Sequence, residues 1–268
     1  MDFVVPTFAL NYIGRGHRRF EGVVCHDLKR VIKLRDGWRP TWDRSAYLLK
    51  PSLKQTLDTL ESMARAGKRV AYDIETDGQH PLVCTVRCIA FYDGERAICV
   101  PVVWRDGTFT LQAKGQGRLT KLKQIPNWPP YWSKENQQLV LEAMAKVFAS
   151  CPLDTQNGQY DRLCMKARLG MLIPDASVGD NRDTILMHHI VASYMPHGLG
   201  FLASIYTEAP FYKATDSGSA WSASSDHDLW KYACADVQAT HQVATLLRRE
   251  LHDRPEDPAI YAHDAWQE

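Results

Sequence analysis

KRVAYDIETDG, residues 68–78, is the stretch on which the reading of this chain turns. Val70, Tyr72 and Ile74 alternate with Ala71, Asp73 and Glu75, so a β-strand here sends Asp73 and Glu75 out of one face, two residues apart. Two carboxylates that point the same way repel unless a cation lies between them, and hard carboxylate oxygens suit Mg²⁺ or Mn²⁺. A lone D-x-E more often ends a strand in solvated acids. A metal site therefore needs further ligands from elsewhere in the chain.

With 268 residues, 45% of them apolar, the chain can bury one substantial core, and one main domain is expected. Its 32 basic and 31 acidic side chains give a formal charge of +1, so nothing global steers it toward polyanions; a nucleic-acid surface must be local. The start, MDFVVPTFALNYIGRG, lacks the basic opening and apolar run of a secretory signal, and no window approaches the roughly 18 apolar residues of a membrane span. The expectation is a cytoplasmic protein, neither secreted nor membrane-bound. Seven cysteines without paired spacing are expected as reduced thiols packed like small hydrophobes.

Residues 18–34, RRFEGVVCHDLKRVIKL, hold two β-prone runs around a polar centre and predict a hairpin, or a strand with a short helix. Pro51-Ser52 opens a helix whose apolar residues Leu53, Leu57, Leu60, Met63 and Ala64 run to a stop at Gly67. After the first strand, residues 85–92 and 97–103 are β-rich and parted by Asp93-Gly94, which predicts an antiparallel three-strand meander. Residues 104–132 form a long connection. Its Lys114, Arg118, Lys121 and Lys123 beside Trp128, Tyr131 and Trp132 suit either single-stranded nucleic acid or an aromatic cluster packed on the domain. Helices are expected at 136–149, with Leu139, Ala143, Met144 and Val147 inward, at 157–169, at 183–194, at 200–206 after the break Pro196-His197-Gly198, and at 228–251. A short strand is expected at 152–155 and a polar loop at 215–225. Early strands followed by helices around one more strand indicate an α/β protein, a mixed sheet with helices on its faces.

Two later segments repeat the acidic logic of the first. Asn157 and Asp161 stand four apart, as do Tyr232 and Asp236, and such pairs share one helix face. The ordered set D-I-E-T, N-x-x-x-D and Y-x-x-x-D resembles the DEDD superfamily of 3′–5′ exonucleases, in its tyrosine-bearing branch, over residues 68–250. The segments DTILMHHI, PHGLGFLASIYT, PFYK and LWKYACADVQAT are similar to the proofreading exonuclease domains of family A DNA polymerases, especially those of bacteriophages.

The resemblance implies a ribonuclease H-like fold with a small N-terminal extension. Residues 1–66 would be extension and lead-in helix, 67–253 the exonuclease domain and 254–268 a tail. It also implies two divalent ions, Mg²⁺ or Mn²⁺. Asp73, Glu75 and Asp236 would hold one, while Asp73 and Asp161 would hold the other. Tyr232, with an ordinary pKa of about 10, would guide the attacking water by hydrogen bonding and not act as a base. Thr76, Asn157 and His197 would lie near the terminal nucleotide. Asp183 is expected as a helix N-terminal acid and not a further ligand, and at least one of His188 and His189 as a packing histidine. Lys213 and Lys231 are lesser candidates for backbone phosphate.

The implied activity is hydrolysis of DNA from single-stranded or frayed 3′ ends to nucleoside 5′-monophosphates. Proofreading or end-trimming in DNA replication and repair would be its use, in a bacterial or phage-infected cell. The sequence ends at Glu268 with no polymerase region, so the expectation is either an excised polymerase domain or, in preference, a free-standing enzyme that trims ends alone or beside a polymerase supplied in trans. Two alternatives stand: an exoribonuclease, which Y-A-C-A-D also resembles, and a ribonuclease H-like module that binds nucleic acid or a partner without cutting.

Overall fold

The computed structural model describes Thr7 and residues 10–17, 20–103, 130–175, 179–209 and 225–252. Residues 104–129 of the long connection, nearly all of the 215–225 loop, Lys213 and the 254–268 tail lie outside the described residues. Along the chain the elements are α1 (Leu10–Gly14), α2 (Glu21–Arg35), β1 (Tyr47–Leu48), α3 (Leu53–Ala66), β2 (Val70–Thr76), β3 (Val86–Tyr92) and β4 (Ala97–Pro101). There follow α4 (Lys134–Ser150), β5 (Leu153–Thr155), α5 (Gly158–Leu169), β6 (Arg182–Asp183), α6 (Thr184–Ala192), α7 (Leu199–Tyr206) and α8 (Asp226–His252).

The strands form one mixed sheet in the order β1-β4-β3-β2-β5-β6. β3 runs antiparallel to β2 and β4, which is the expected meander, while β5 lies parallel to β2. The lead-in helix α3 starts in a capping box: Ser52 Oγ accepts from Gln55 N, and Gln55 Oε1 accepts from Ser52 N. It ends on Gly67 at φ 59°, a left-handed cap that glycine adopts without strain. Residues 47–66 share the sheet and core with the segment that follows, since β1 pairs with β4 and Leu60 and Met63 join the core cluster that holds Val70, Tyr72 and Ile74.

Period-2 alternation assigns the two faces of the sheet. Val70, Tyr72 and Ile74 join Ile89, Phe91, Ile98 and Val100 against α3 and α4, where Phe148 meets Tyr72 edge-on with ring centroids 5.1 Å apart. Ala71, Cys88, Ala90, Ala97 and Cys99 form the other face, against Leu229, Trp230, Ala233, Cys234 and Val237 of α8. Small residues on that face let the long helix lie close to the strands.

Three expectations change. Residues 20–34 are neither a hairpin nor a strand with a short helix. They contribute to the 15-residue helix α2, because Phe20, Val23 and Val24 bury at helical spacing and Arg30 donates to the carbonyls of Ser204 and Ala209, each at 3.1 Å. In α4, Ala143, Met144 and Val147 are buried as expected, but Val140 and Phe148 complete that face and Leu139 is 45% exposed. The short strands β1 and β6, two residues each, were not expected. All seven cysteines are free and six are buried, as expected of packed thiols. Among the described residues no helix is long and apolar enough to cross a membrane.

Candidate active site

The alternation of β2 that buries Tyr72 and Ile74 on one face sends Asp73 and Glu75 to the other, the face covered by α8. Opposite them in the β3 register stand Ala90 and Cys88, too small to fill the space. The β2–β3 register then shifts between Glu75 and Thr76, an irregularity of the kind that re-aims side chains at the end of a strand. From α8, Tyr232 and Asp236 come one turn apart into the same space, each 7% exposed. One carboxylate oxygen from each of Asp73, Glu75 and Asp236 lies within 4.8 Å of the others.

Asp161 arrives from α5. It lines the same cleft of about 440 Å³ as Asp73, Glu75, Tyr232 and Asp236. Its Oδ2 is buried with no hydrogen-bond partner. Burial raises its pKa well above the usual carboxylate range, the charges of Asp73 and Asp183 raise it further, and Arg162 opposes them in part. Three clustered carboxylates and a fourth with an unmatched buried oxygen suit divalent cations, since an ion beside Asp161 would offset both the desolvation and the repulsion. The residues present therefore fit the metal that the motif implies.

Tyr232 is also shifted upward, first by burial and then by Asp236, Glu75 and Asp73. At neutral pH its hydroxyl keeps its proton, which suits a hydrogen-bonding guide and not a base.

Thr76 and Asn157 line the cleft. Asn157 sits just before α5 with φ 62°, a left-handed value, so it opens the helix and does not extend its face. His197 is not among the lining residues. Its Nδ1 lies 2.7 Å from Nδ1 of His188 and its Nε2 lies 3.4 Å from Nδ1 of His189, so its ring meets α6. His188 is the packing histidine, 2% exposed, with its pKa lowered to about 4 by burial and then by the neighbouring His197 and His189. Asp183 caps α6, its carboxylate accepting from Ile185 N at 3.0 Å, the role expected of a helix N-terminal acid. Lys231 does not line the cleft.

Gln79, Gln156 and Tyr160 also line it and were missed. The signal was adjacency: Gln156 precedes the N-x-x-x-D motif, Tyr160 lies within it, and Gln79 follows D-I-E-T within three residues.

No family model and no curated protein matches the chain. Solved structures do. The EXO domain of Nibbler from Aedes aegypti superposes with a TM-score of 0.57 at 14% identity, covering 87% of this chain and 100% of that one. The catalytic core of RRP6 from Trypanosoma brucei superposes with a TM-score of 0.57 at 12% identity, covering 85% of this chain and 53% of that one. RNase D from Escherichia coli gives 0.50 at 15% identity, covering 83% and 50%. The chain spans about half the length of the RRP6 and RNase D chains. At such identities the likeness is one of architecture: the six-stranded mixed sheet and its flanking helices make a ribonuclease H-like fold of the kind found in these exonuclease structures.

Proposed function

We propose that this protein is a metal-dependent 3′–5′ exonuclease that releases nucleoside 5′-monophosphates from nucleic-acid 3′ ends. The observation that carries the reading is the convergence of Asp73, Glu75 and Asp236 within 4.8 Å, with Asp161 and Tyr232 in the same cleft. Asp73, Glu75 and Asp236 would hold one divalent ion, and Asp73 and Asp161 a second. When bound, such ions activate water and stabilise the departing 3′ oxygen in an in-line displacement. The chain's own groups do the rest. The Tyr232 hydroxyl, kept protonated by its surroundings, orients the water through a hydrogen bond. Thr76 and Asn157, which line the cleft, would meet the terminal sugar and base.

DNA is the substrate that the polymerase-like motifs favour, with single-stranded or frayed ends as the form and a DNA polymerase acting in trans as partner. RNA is the second reading, supported by the likeness to RNase D, an exoribonuclease involved in structured RNA processing. Matched 5′-labelled DNA and RNA strands, incubated with Mg²⁺ or Mn²⁺ and with a chelator control, test both. Stepwise shortening from the 3′ end in metal alone is the expected result, faster on DNA. Faster shortening of RNA would replace the first substrate by the second, and intact strands of both kinds in every metal would remove the nuclease and leave a binding module.

A further inference from the structure

The connection between β5 and α5, residues 155–158, turns sharply just before Asp161, and it is held from outside. Asn157 is left-handed, at φ 62°, the one non-glycine residue with positive φ among the described residues. Gly158 packs so closely that a Cβ there would stand 2.5 Å from Thr155 Oγ1. A corner of this kind needs partners for its backbone groups, and they come from the junction of β6 and α6. Asp183 Oδ1 accepts from Asn157 N at 3.0 Å, and Oδ2 accepts from Gly158 N at 2.9 Å. Thr184 Oγ1 donates to the carbonyl of Thr155 at 3.0 Å and also meets Gln156 Oε1.

An acid serving only as a helix cap would need the bond from Ile185 N alone. Asp183 makes two more, to residues about 25 positions earlier in the chain, and it is 7% exposed. Asn157 and Gly158 open the helix whose first turn carries Asp161, so the direction of that turn is fixed by the carboxylate beneath it. Asp161 in turn lines the cleft, and its buried Oδ2 has no hydrogen-bond partner among the described residues.

We propose that Asp183 is a positioning residue. It touches neither substrate nor cation, and its three accepted hydrogen bonds set where Asp161 and Asn157 stand relative to Asp73. The inference rests on the exonuclease reading for its consequence and on the corner geometry for its cause. The β6–α6 junction, which supplies no ligand, thereby becomes part of what makes the site competent.

The test compares Asp183→Ala and Asp183→Asn with Asn181→Ala. Asn181 lies two residues away and holds Leu153 N and the Asp175 carbonyl, at 2.8 and 3.1 Å, without reaching the corner. Thermal midpoint, kcat and KM on a single-stranded oligonucleotide, and Mn²⁺ affinity by calorimetry are measured for all. Asp183→Ala should lower kcat and Mn²⁺ affinity by about 10- to 100-fold with KM unchanged, the range seen when a partner that orients a ligand is removed. Asp183→Asn keeps one acceptor atom and should fall between Asp183→Ala and the wild type; it carries the test if the alanine variant does not fold. Asn181→Ala should lose midpoint while keeping kcat and Mn²⁺ affinity. Aspartate variants that match the wild type, or that change no more than Asn181→Ala at an equal loss of midpoint, would overturn the proposal. If the wild type releases no nucleotide yet loses Mn²⁺ affinity on Asp183 substitution, the exonuclease reading falls and the positioning role stands.

Discussion

The hydroxyl of Tyr160 lies 2.9 Å from Thr76 Oγ1, and both groups meet the carbonyl of Gly78, Tyr160 at 2.6 Å and Thr76 at 2.8 Å. One phenol thus ties the first turn of α5 to the chain leaving β2 across 84 residues of sequence, among residues that line the cleft.

Tyr160→Phe keeps the ring and removes that tie. A hydrogen bond of this kind contributes about 1 kcal/mol, so the loss should raise KM for an oligonucleotide roughly fivefold through the loosened Gly78-Gln79 wall. Steady-state kinetics would check it. An unchanged KM would mean that the wall does not meet substrate.

Asp161→Ala should nearly abolish hydrolysis and yet leave the metal-free protein at least as stable, because it removes a buried carboxyl repelled by Asp73 and Asp183. Thermal midpoints with and without Mg²⁺ would show this. A ligand at a hundred times its Kd stabilises the native state by about 2.7 kcal/mol, and the variant should gain less than the wild type. Tyr232→Phe, by contrast, should retain part of the activity, since the hydroxyl guides water and does not take its proton. Full loss in the phenylalanine variant would give that hydroxyl a larger part.

His188 has a folded-state pKa of about 4 against an ordinary value of 6.5. Between those values the unfolded chain binds a proton that the folded one does not, so its contribution to stability is fully present above about pH 6.5 and is lost as pH falls toward 4. Denaturant midpoints at pH 7 and pH 4.5 should differ less in His188→Gln than in the wild type. Equal differences in the two proteins would place the acid sensitivity elsewhere.

Asp154 on β5 has no exposed surface. Arg69 Nη1 donates to its Oδ1 at 2.7 Å, and His241 Nδ1 stands 3.4 Å from Oδ2. Arg69→Met should lower the unfolding free energy by about 3–5 kcal/mol, the usual result of removing one partner of a buried ion pair. Urea denaturation would measure it. Turnover in the cold should persist, because neither residue lines the cleft.

What could be read from the sequence was what local chemistry encodes. The alternation in residues 70–76 gave the strand and the shared side of Asp73 and Glu75; Ser52 and Gly67 marked helix ends; and spacing of four tied Tyr232 to Asp236. The misses are groups whose partners are distant in sequence. β1 and β6 are two residues long, too short for any period to register, and exist because β4 and β5 pair with them. His197 stands between a proline and a glycine like many a binding-loop residue, but two imidazoles of α6 had already taken its ring. Nothing near Tyr160 in sequence announces its partner, the carbonyl of Gly78.

Every residue of α8 from Tyr232 to Thr240 is buried, with Ala233, Cys234 and Val237 against the strands and Tyr232, Ala235 and Ala239 against α6 and α7. A rod wedged on both flanks has no slack: a methyl group added at Ala235 or Ala239 would push Asp236 off station even while the protein stayed folded. Variation there is therefore screened twice, once by packing and again by chemistry, and a survey of tolerated substitutions should find this helix quieter than any strand of the sheet.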